Sequence, residues 1–259
     1  MRTLSTAILS ALAQEQQGLL DLMHQPRCVH RAGREFWLGD LRGQPVVLAL
    51  SRIGKVAAAT TTTTLIEAFG AQRVVFTGVA GGVGEGVQVG DVVVASEFVQ
   101  HDMDASPLFP RYQVPLYGRD RFACDPDLTA LLVKAAHAGL QQLNAARDSG
   151  LATAPHAVHQ GLIASGDRFI SAAEESRQLK QALHSAGHPP LAVEMEGAAV
   201  AQVCFDYDVP FAAMRTISDR ADDTAHVDFP KFVQEVASRY ALAILVAFMR
   251  ELKKNTNGV

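Results

Sequence analysis

The stretch RVVFTGVAGGVGEG, residues 73–86, decides the fold class. Its first five residues form a short, mostly apolar run, which is typical of a strand buried on both faces of a sheet. The glycines that follow predict a turn over residues 78–86. Either these glycines only reverse the chain, or their bare backbone lets a ligand approach closely. We favour the second alternative.

The rest of the chain alternates predicted strands and helices. Strands are predicted at residues 3–10, 45–51, 91–99, 159–165, 191–193 and 211–217. Helices are predicted at residues 14–24, 54–69, 127–139, 171–186, 196–207 and 229–252. Asp125 is expected to cap the third of these helices, with Pro126 at its first position. Residues 101–126 contain four prolines and no clear period, so they predict a long, functional loop.

This alternation predicts an α/β fold. Helices on both faces of a sheet give a three-layer sandwich, here around a mixed, largely parallel sheet. No shift in composition marks a second domain, so we expect a single domain over residues 1–259.

Composition narrows the class of protein. Of 259 residues, 48% are hydrophobic and 19% are charged, which indicates a folded chain with a sizeable core. The formal net charge is 23 − 27 = −4, so the basic face that a nucleic-acid partner needs is not expected. The longest apolar run, residues 241–249, is less than half of the roughly 20 residues that a membrane helix needs. We therefore expect neither a nucleic-acid partner nor a membrane partner.

Cysteine and histidine spacing predicts neither disulfides nor a metal. Cys28, Cys124 and Cys204 form no C-x-x-C pair, which favours three free thiols in a reducing compartment. His184 and His188 are four residues apart, but a glycine and a proline break the helix that would align them.

Residues 1–13 resemble a short secretory signal, yet threonines and serines interrupt the apolar stretch. We predict a strand there and a cytoplasmic location.

The glycine spacing excludes two nucleotide-binding loops. A G-x-G-x-x-G fingerprint that starts at Gly82 would need glycine at Val87, and one that starts at Gly84 would need it at Val89. A Walker A loop fails as well, because Ala49 stands where its first glycine is required.

Three predicted strands end in polar or glycine-rich residues. These ends are TG at residues 77–78, SGD at 165–167 and SD at 218–219. The carboxyl ends of parallel strands meet at one edge of a sheet, where ligands of such folds bind. We expect the functional site at that edge.

Four acidic residues are candidates for that site. Glu194 and Glu196 are flanked by apolar residues where a buried strand passes into a helix, so each needs a partner. They bind a polar ligand, such as the vicinal hydroxyls of a sugar, or they cap the helix. Asp219 ends an apolar strand and either caps a turn or acts as an acid with a raised pKa. Glu15 reads by itself as an ordinary exposed helix residue.

Seven segments together resemble the nucleoside phosphorylase/nucleosidase family, and within it the 5′-methylthioadenosine/S-adenosylhomocysteine nucleosidases. They are SRIGKVA at residues 51–57, TGVAGG at 77–82, VGDVVV at 89–94, QHDMD at 100–104, SGDRFI at 165–170, VEME at 193–196 and RTISD at 215–219. They run in the family's order over nearly the whole chain. The resemblance implies a homodimer that hydrolyses the N-glycosidic bond to adenine in methionine salvage, without metal or cofactor.

The resemblance also implies roles for individual residues. The catalytic pair is Asp219, which protonates the leaving adenine at N7, and Glu15, which activates water. Glu196 holds the ribose hydroxyls. The remaining substrate-binding positions are Met195 beside the ribose, Phe169 and Ile170 at the base, Gly81 near the water and sugar, Ser218 next to the acid, and Ile53 and Phe229 in the alkylthio pocket. Residues 101–115 would reach into the neighbouring subunit's pocket.

Residues 10–15 (SALAQE) resemble the family's N-terminal G-A-M-x-x-E motif, which places Glu15 on the family's base, but Ser10 replaces Gly and Leu12 replaces Met. The chain also departs from the family pattern at Val79, where relatives often carry Ser or Thr, and in the loop at residues 105–118. Three alternatives to this function stay open. The first is a phosphorolytic relative, for which Arg52 is the candidate phosphate ligand. The second is a nucleosidase for another 6-amino purine nucleoside such as aminodeoxyfutalosine. The third is a catalytically silent nucleoside-binding protein.

Overall fold

The computed structural model describes residues 5–145 and 156–256. Within them, the strands are β1 (Thr6–Ser10), β2 (His24–Arg31), β3 (Arg34–Leu41), β4 (Gln44–Leu50), β5 (Arg73–Gly82), β6 (Val92–Gln100), β7 (Arg121–Ala123), β8 (Val158–Ser165), β9 (Ala192–Glu194) and β10 (Phe211–Asp219). The helices are α1 (Ala13–Gln16), α2 (Lys55–Phe69), α3 (Pro126–Ala145), α4 (Ala173–Ser185), α5 (Gly197–Asp206), α6 (Ala225–Phe232) and α7 (Ser238–Thr256).

All these strands belong to one mixed sheet. Its order is β10-β6-β8-β9-β5-β1-β4-β3-β2, with β7 paired to β6. Because β10 also pairs with β5, strands β5, β10, β6, β8 and β9 close into a ring. Five pairings are parallel and five are antiparallel. The predicted mixed sheet is confirmed, and the parallel pairings hold the strands that lead to the predicted site.

Two hydrophobic clusters cover the two faces of the sheet. Alternate side chains of a strand point to opposite faces. Ala7 and Leu9 of β1 therefore pack in the cluster that contains α2 and α5 residues, whereas Ile8 packs in the cluster with α3 and α7 residues. This arrangement confirms the predicted three-layer sandwich. In the part of the chain that is described, no helix combines the length and apolarity needed to cross a bilayer.

The predicted glycine turn is wrong in extent, because β5 continues to Gly82. Gly81 pairs with Val193 in β9. A Cβ atom at Gly81 would lie 3.0 Å from Asp219 Oδ1, and one at Gly78 would lie 2.8 Å from Glu15 Oε1. These glycines therefore leave room for two carboxyl groups within a strand and do not reverse the chain.

The helix predicted at residues 14–24 is also wrong. Helix α1 ends at Gln16, a 3₁₀ turn follows at Leu20–Leu22, and β2 already begins at His24. Gly18 lies between the two helical pieces at a φ of +86°, a left-handed conformation that ends a right-handed helix. The β2–β3 hairpin was not predicted, because its edge strand HQPRCVHR is largely polar and exposed.

Two further segments differ in detail from their predictions. The predicted loop at residues 101–126 contains a short strand, β7. The predicted helix cap at its end is confirmed, because Leu128 N donates to Asp125 Oδ1 at 2.8 Å and Pro126 begins α3. The closing helix starts before residue 229 and is divided into α6 and α7 by a π-helical turn at Val233–Ala237.

Candidate active site

One cavity of about 290 Å³ lies at the carboxyl ends of β1, β5 and β10. The predicted site residues that line it are Glu15, Ile53, Gly81, Phe169, Ile170, Met195, Glu196, Asp219 and Phe229. Ser218 is not on its wall. The Ser218 hydroxyl instead lies 2.7 Å from Asp219 Oδ2, behind that carboxyl group.

Glu15 is buried, with only 3% of its surface exposed, although its sequence context predicts an exposed helix residue. Oε2 accepts hydrogen bonds from Ala11 N at 2.9 Å and Leu12 N at 2.8 Å, where the chain passes from β1 into α1. Oε1 accepts one from Val79 N at 3.1 Å. Burial raises the pKa of Glu15, while these hydrogen bonds and Arg215 oppose that shift. Such a carboxyl group is suited to take up a proton.

Asp219 ends β10 at an irregularity in its pairing with β5, between Ile217 and Asp219. Its Oδ1 accepts a hydrogen bond from Ala221 N at 2.8 Å. Its side chain is 2% exposed, and Gly81 faces it from β5 without a side chain that would block it. The bulge, the short turn and the glycine thus hold this carboxyl group at the cavity wall.

Glu196 precedes α5 and points toward the start of α2. Its Oε1 accepts a hydrogen bond from Gly54 N at 2.8 Å. Gly54 has a φ of +96°, a conformation that favours glycine. Burial and the neighbouring Glu194 carboxylate raise the pKa of Glu196 to about 8. Loss of the Glu196 proton is therefore disfavoured in this buried position beside Glu194.

Glu194 reaches the cavity, but its oxygens are engaged by protein groups. They accept hydrogen bonds from the backbone of Gly197, the first residue of α5, and from the Ser165 hydroxyl. Arg215 Nη2 donates to Oε2 at 2.6 Å, and this pair is almost completely buried. The sequence left two roles for these glutamates, capping the helix or binding a polar ligand. Glu194 therefore caps the start of α5, whereas Glu196 lines the cavity where it can contact a ligand.

Arg215 was not predicted as a site residue. It is 1% exposed within the apolar strand β10 and lies 4.0 Å from the centre of the Phe76 ring. The sequence did contain a sign of its importance, because an arginine stands inside the otherwise mostly apolar run FAAMRTIS. A charged side chain buried in a strand requires a partner of opposite charge. Its partner could not be chosen from the sequence.

The opposite wall of the cavity is apolar and partly open. The Phe169 and Phe229 rings meet edge to face, with centroids 5.5 Å apart. Phe169 is 42% exposed and Ile53 is 57% exposed, so both are available to a ligand. The wall therefore combines a ring for a flat base with aliphatic surface for an apolar substituent.

Arg52 does not reach this cavity. Its Nη2 donates to Gly33 O at 2.5 Å, on the side of the hairpin. Among the described lysines and arginines, Arg168 is the one that lines the cavity, and it forms an ion pair with Glu175 at 2.6 Å. The candidate phosphate ligand from the sequence is therefore directed elsewhere.

The raised pKa of Glu196 predicts a specific dependence of stability on pH. In the window from its ordinary value of 4.5 to about 8, the folded chain holds a proton that the unfolded chain releases. The free energy of unfolding then falls as pH rises, by up to about 1.4 kcal/mol per pH unit from this group. Glu196→Gln has no titrating group at this position. We therefore expect the stability of the variant, relative to that of the wild type, to increase as pH rises.

Urea unfolding of both proteins across this window, with Glu85→Gln as an exposed control, measures the effect. An equal pH dependence of wild type and Glu196→Gln would contradict the assigned pKa.

Comparisons with known proteins agree with this geometry. Residues 5–250 match the profile of the phosphorylase superfamily. A 5′-methylthioadenosine/S-adenosylhomocysteine nucleosidase from Actinobacillus succinogenes is 38% identical over 249 residues, which cover 95% of this chain and 98% of the relative. One from Bacillus cereus is 36% identical over 250 residues, with 95% and 99% covered.

Solved structures are similar over almost the whole chain. The nucleosidase from Neisseria meningitidis in complex with methylthio-immucillin-A has a TM-score of 0.83 and 35% identity, covering 96% of this chain and 99% of that one. Futalosine hydrolase from Helicobacter pylori has a TM-score of 0.82 and 32% identity, with 96% and 98% covered. The resemblance predicted from the seven segments is confirmed. The chain belongs to the phosphorylase superfamily and, within it, to the family of 5′-methylthioadenosine/S-adenosylhomocysteine nucleosidases.

Proposed function

We propose that this protein, acting as a single domain, hydrolyses the N-glycosidic bond of 5′-methylthioadenosine and S-adenosylhomocysteine and releases adenine and the thioribose. The observation that carries the proposal is that Glu15, Glu196 and Asp219 line one cavity. These three residues are far apart in the sequence and come from the ends of different elements. Binding a nucleoside does not by itself require three buried acids.

Asp219 is proposed to act on the leaving group. When the bond between C1′ and N9 breaks, its electron pair goes to adenine, which is a poor leaving group until it gains a proton. A carboxyl group at the cavity wall donates this proton to N7. General acid assistance of this kind typically contributes about 10²- to 10⁴-fold.

Glu15 is proposed to act on the water. The Glu15 carboxylate accepts one proton while the oxygen of the water forms the new bond to C1′. Its backbone hydrogen bonds fix the carboxyl group in place, and burial raises its pKa toward the range where it takes a proton readily.

Glu196 is proposed to hold the ribose hydroxyls and stabilise the sugar cation. Positive charge develops on the ribose as the bond breaks. A positive charge near a carboxyl group favours its ionised form, so the interaction of Glu196 with the sugar strengthens in the transition state.

The substrate preference is proposed to follow from the apolar wall. Phe169 stacks on the base, and Ile53 and Phe229 face an alkylthio group. Val79 supplies no hydroxyl to the cavity, and its side chain packs with Val233 and Ala237.

Hydrolysis rather than phosphorolysis is the first testable consequence. We expect the rate of adenine release from 5′-methylthioadenosine to be the same with and without phosphate, because Arg52 is bonded to Gly33 and not to the cavity. Chromatography of the products in phosphate-free and phosphate-containing buffer measures this. Strict dependence on phosphate, or formation of a ribose 1-phosphate product, would refute hydrolysis.

A second candidate substrate has support from one comparison, the structural similarity to futalosine hydrolase. A panel of 5′-methylthioadenosine, S-adenosylhomocysteine, aminodeoxyfutalosine, deoxyadenosine and inosine separates the candidates. The highest kcat/KM on aminodeoxyfutalosine would replace the two sulfur nucleosides as proposed substrates.

We further propose a cytoplasmic homodimer. Leu108 is 83% exposed in residues 101–115, which the family resemblance assigns to the neighbouring subunit's pocket. Leu116, just beyond that segment, is 92% exposed, and Val56 of α2 is 78% exposed. Exposed apolar side chains of this kind are typical of an interface. Light scattering of the purified chain tests the dimer, and Leu108→Asp with Leu116→Asp should shift it toward the monomer.

A further inference from the structure

The edge hairpin β2–β3 brings together three side chains with metal-binding chemistry. Cys28 and His30 are two residues apart in β2, so they share one face. In the antiparallel register His30 lies opposite Glu35 and Cys28 lies opposite Trp37. Residues directly opposite each other point to the same face. A thiol, an imidazole and a carboxyl group therefore lie side by side on this face.

The distances between these groups are close to those of a coordination shell. One ligand atom from each of Cys28, His30 and Glu35 lies within 4.8 Å of the other two. His30 Nε2 and Glu35 Oε1 are 3.4 Å apart. Two ligands at about 2.1 Å from a tetrahedral ion are about 3.4 Å apart, so this pair already has the spacing. Among the side chains that the structure describes, no other group of three His, Cys, Asp or Glu residues comes this close.

Arg34, the neighbour of Glu35 in β3, is bonded to backbone carbonyl oxygens away from this cluster. Arg34 donates to the carbonyl oxygens of Ser51, Ala57 and Ala32. Among the ion pairs of the described residues, Glu35 takes part only in the one with His30. The Glu35 side chain is 57% exposed and that of His30 is 77% exposed, so both can move toward an ion. Trp37, which lies opposite Cys28 in β3, is on the same face of the hairpin as the cluster.

We propose that Cys28, His30 and Glu35 bind a divalent transition-metal ion, of which Zn²⁺ is the best match, with solvent in the remaining position. Sulfur, nitrogen and carboxylate oxygen are the ligands of Zn²⁺, and the thiol excludes Mg²⁺ and Ca²⁺ as preferred ions. On binding, the Cys28 S–H bond breaks, the sulfur bonds to the metal and the proton passes to solvent. Without metal, burial and Glu35 raise the pKa of this thiol.

The proposed metal site is separate from the proposed catalytic residues, but it is connected to residues 51–53, which lead into the cavity wall. The turn of the hairpin is bonded to Arg52 through Gly33 O, and Arg34 is bonded to Ser51. Ile53, which lines the cavity, follows directly. An ion that joins β2 to β3 should therefore stabilise the hairpin on which this loop rests. Residue spacing alone did not reveal the cluster, because its members meet only across two strands.

Co²⁺ titration of the chelator-treated, full-length protein tests the proposal. We expect a single Co²⁺ per chain, a near-ultraviolet band from charge transfer between thiolate and cobalt, and displacement by Zn²⁺. Cys28→Ser should abolish the band, and His30→Ala and Glu35→Gln should each weaken Zn²⁺ binding at least about tenfold. His24→Ala, an exposed histidine of the same strand, is the matched control and should bind as the wild type does.

Thiol labelling gives a readout that does not depend on colour. Cys124 and Cys204 are buried, so Cys28 should react fastest with a thiol reagent, and Zn²⁺ should slow this reaction. Circular dichroism of the metal-free variants confirms that each is folded. The absence of a thiolate band in the wild type, a band that persists in Cys28→Ser, or Zn²⁺ affinity unchanged in both His30→Ala and Glu35→Gln would overturn the proposal. None of these results bears on the nucleosidase reaction.

Discussion

Asp219→Asn should lower kcat for adenine release by about 10²- to 10⁴-fold and leave adenine binding nearly unchanged. The amide of asparagine has the shape of the carboxyl group and keeps an oxygen for Ala221 N, which now bonds to Oδ1 at 2.8 Å. It cannot transfer a proton to N7 of the leaving base. The loss should therefore appear in kcat rather than in the affinity for adenine.

Asp208→Asn is the matched control for this variant. Asp208 is exposed just before β10 and has a φ of +52°, which asparagine tolerates. It should keep the wild-type rate. Steady-state kinetics with 5′-methylthioadenosine and calorimetric titration with adenine measure the two quantities. An Asp219→Asn protein with normal kcat would remove this residue from the mechanism.

Glu15→Gln extends the same test to the proposed water-activating group, with an expected loss of similar size. Glutamine keeps one oxygen for Ala11 and Leu12 N–H groups, but its NH₂ group then faces Val79 N–H. Circular dichroism must therefore confirm the fold before the rate is interpreted. Glu85→Gln, an exposed change of the same kind, should leave the rate intact. Both active-site variants binding adenine without turnover would favour an enzyme over a silent nucleoside-binding protein.

The sequence predicts those parts of the fold and site that depend on local signals. Short apolar runs correctly placed most strands of the central sheet, and the Asp125-Pro126 pair marked the start of α3. The family motifs selected Glu15, Glu196 and Asp219, which line one cavity. Family resemblance was decisive for Glu15, since its local pattern indicates an exposed helix residue and only tertiary packing buries it.

The errors share one physical cause: the deciding partner is remote in sequence. Glycines at residues 78–82 look like a turn because nothing local shows that carboxyl groups pack against them. Strand β2 is polar because it lies at the edge of the sheet, so no apolar period identifies it or the hairpin that it forms with β3. From the sequence, Glu194 and Glu196 had the same two possible roles. Arg215, which pairs with Glu194 and so distinguishes it from Glu196, is 21 residues from Glu194 along the chain.

That buried pair gives the prediction with the largest effect on stability. Arg215→Met should lower the free energy of unfolding by about 3–5 kcal/mol, because it leaves the Glu194 charge buried without its partner. The Arg215 and Glu194 side chains are 1% and 3% exposed, so water cannot replace the lost contact. Methionine keeps much of the packing against Phe76, so the loss should arise mainly from the charge.

Arg215→Met combined with Glu194→Gln separates the charge from the packing. The double variant has no buried charge at this place, and its glutamine can still accept a hydrogen bond from Gly197 N, so it should recover most of the lost stability. Arg177→Met provides the exposed comparison. Its ion pair with Glu174 is largely solvated and should contribute less than about 1 kcal/mol. Glu194→Gln alone completes the cycle, and urea unfolding of these four variants and the wild type gives the coupling energy between Arg215 and Glu194. A double variant no more stable than Arg215→Met would show that Arg215 acts through packing, and its position beside Glu194 would then not explain why an arginine stands in β10.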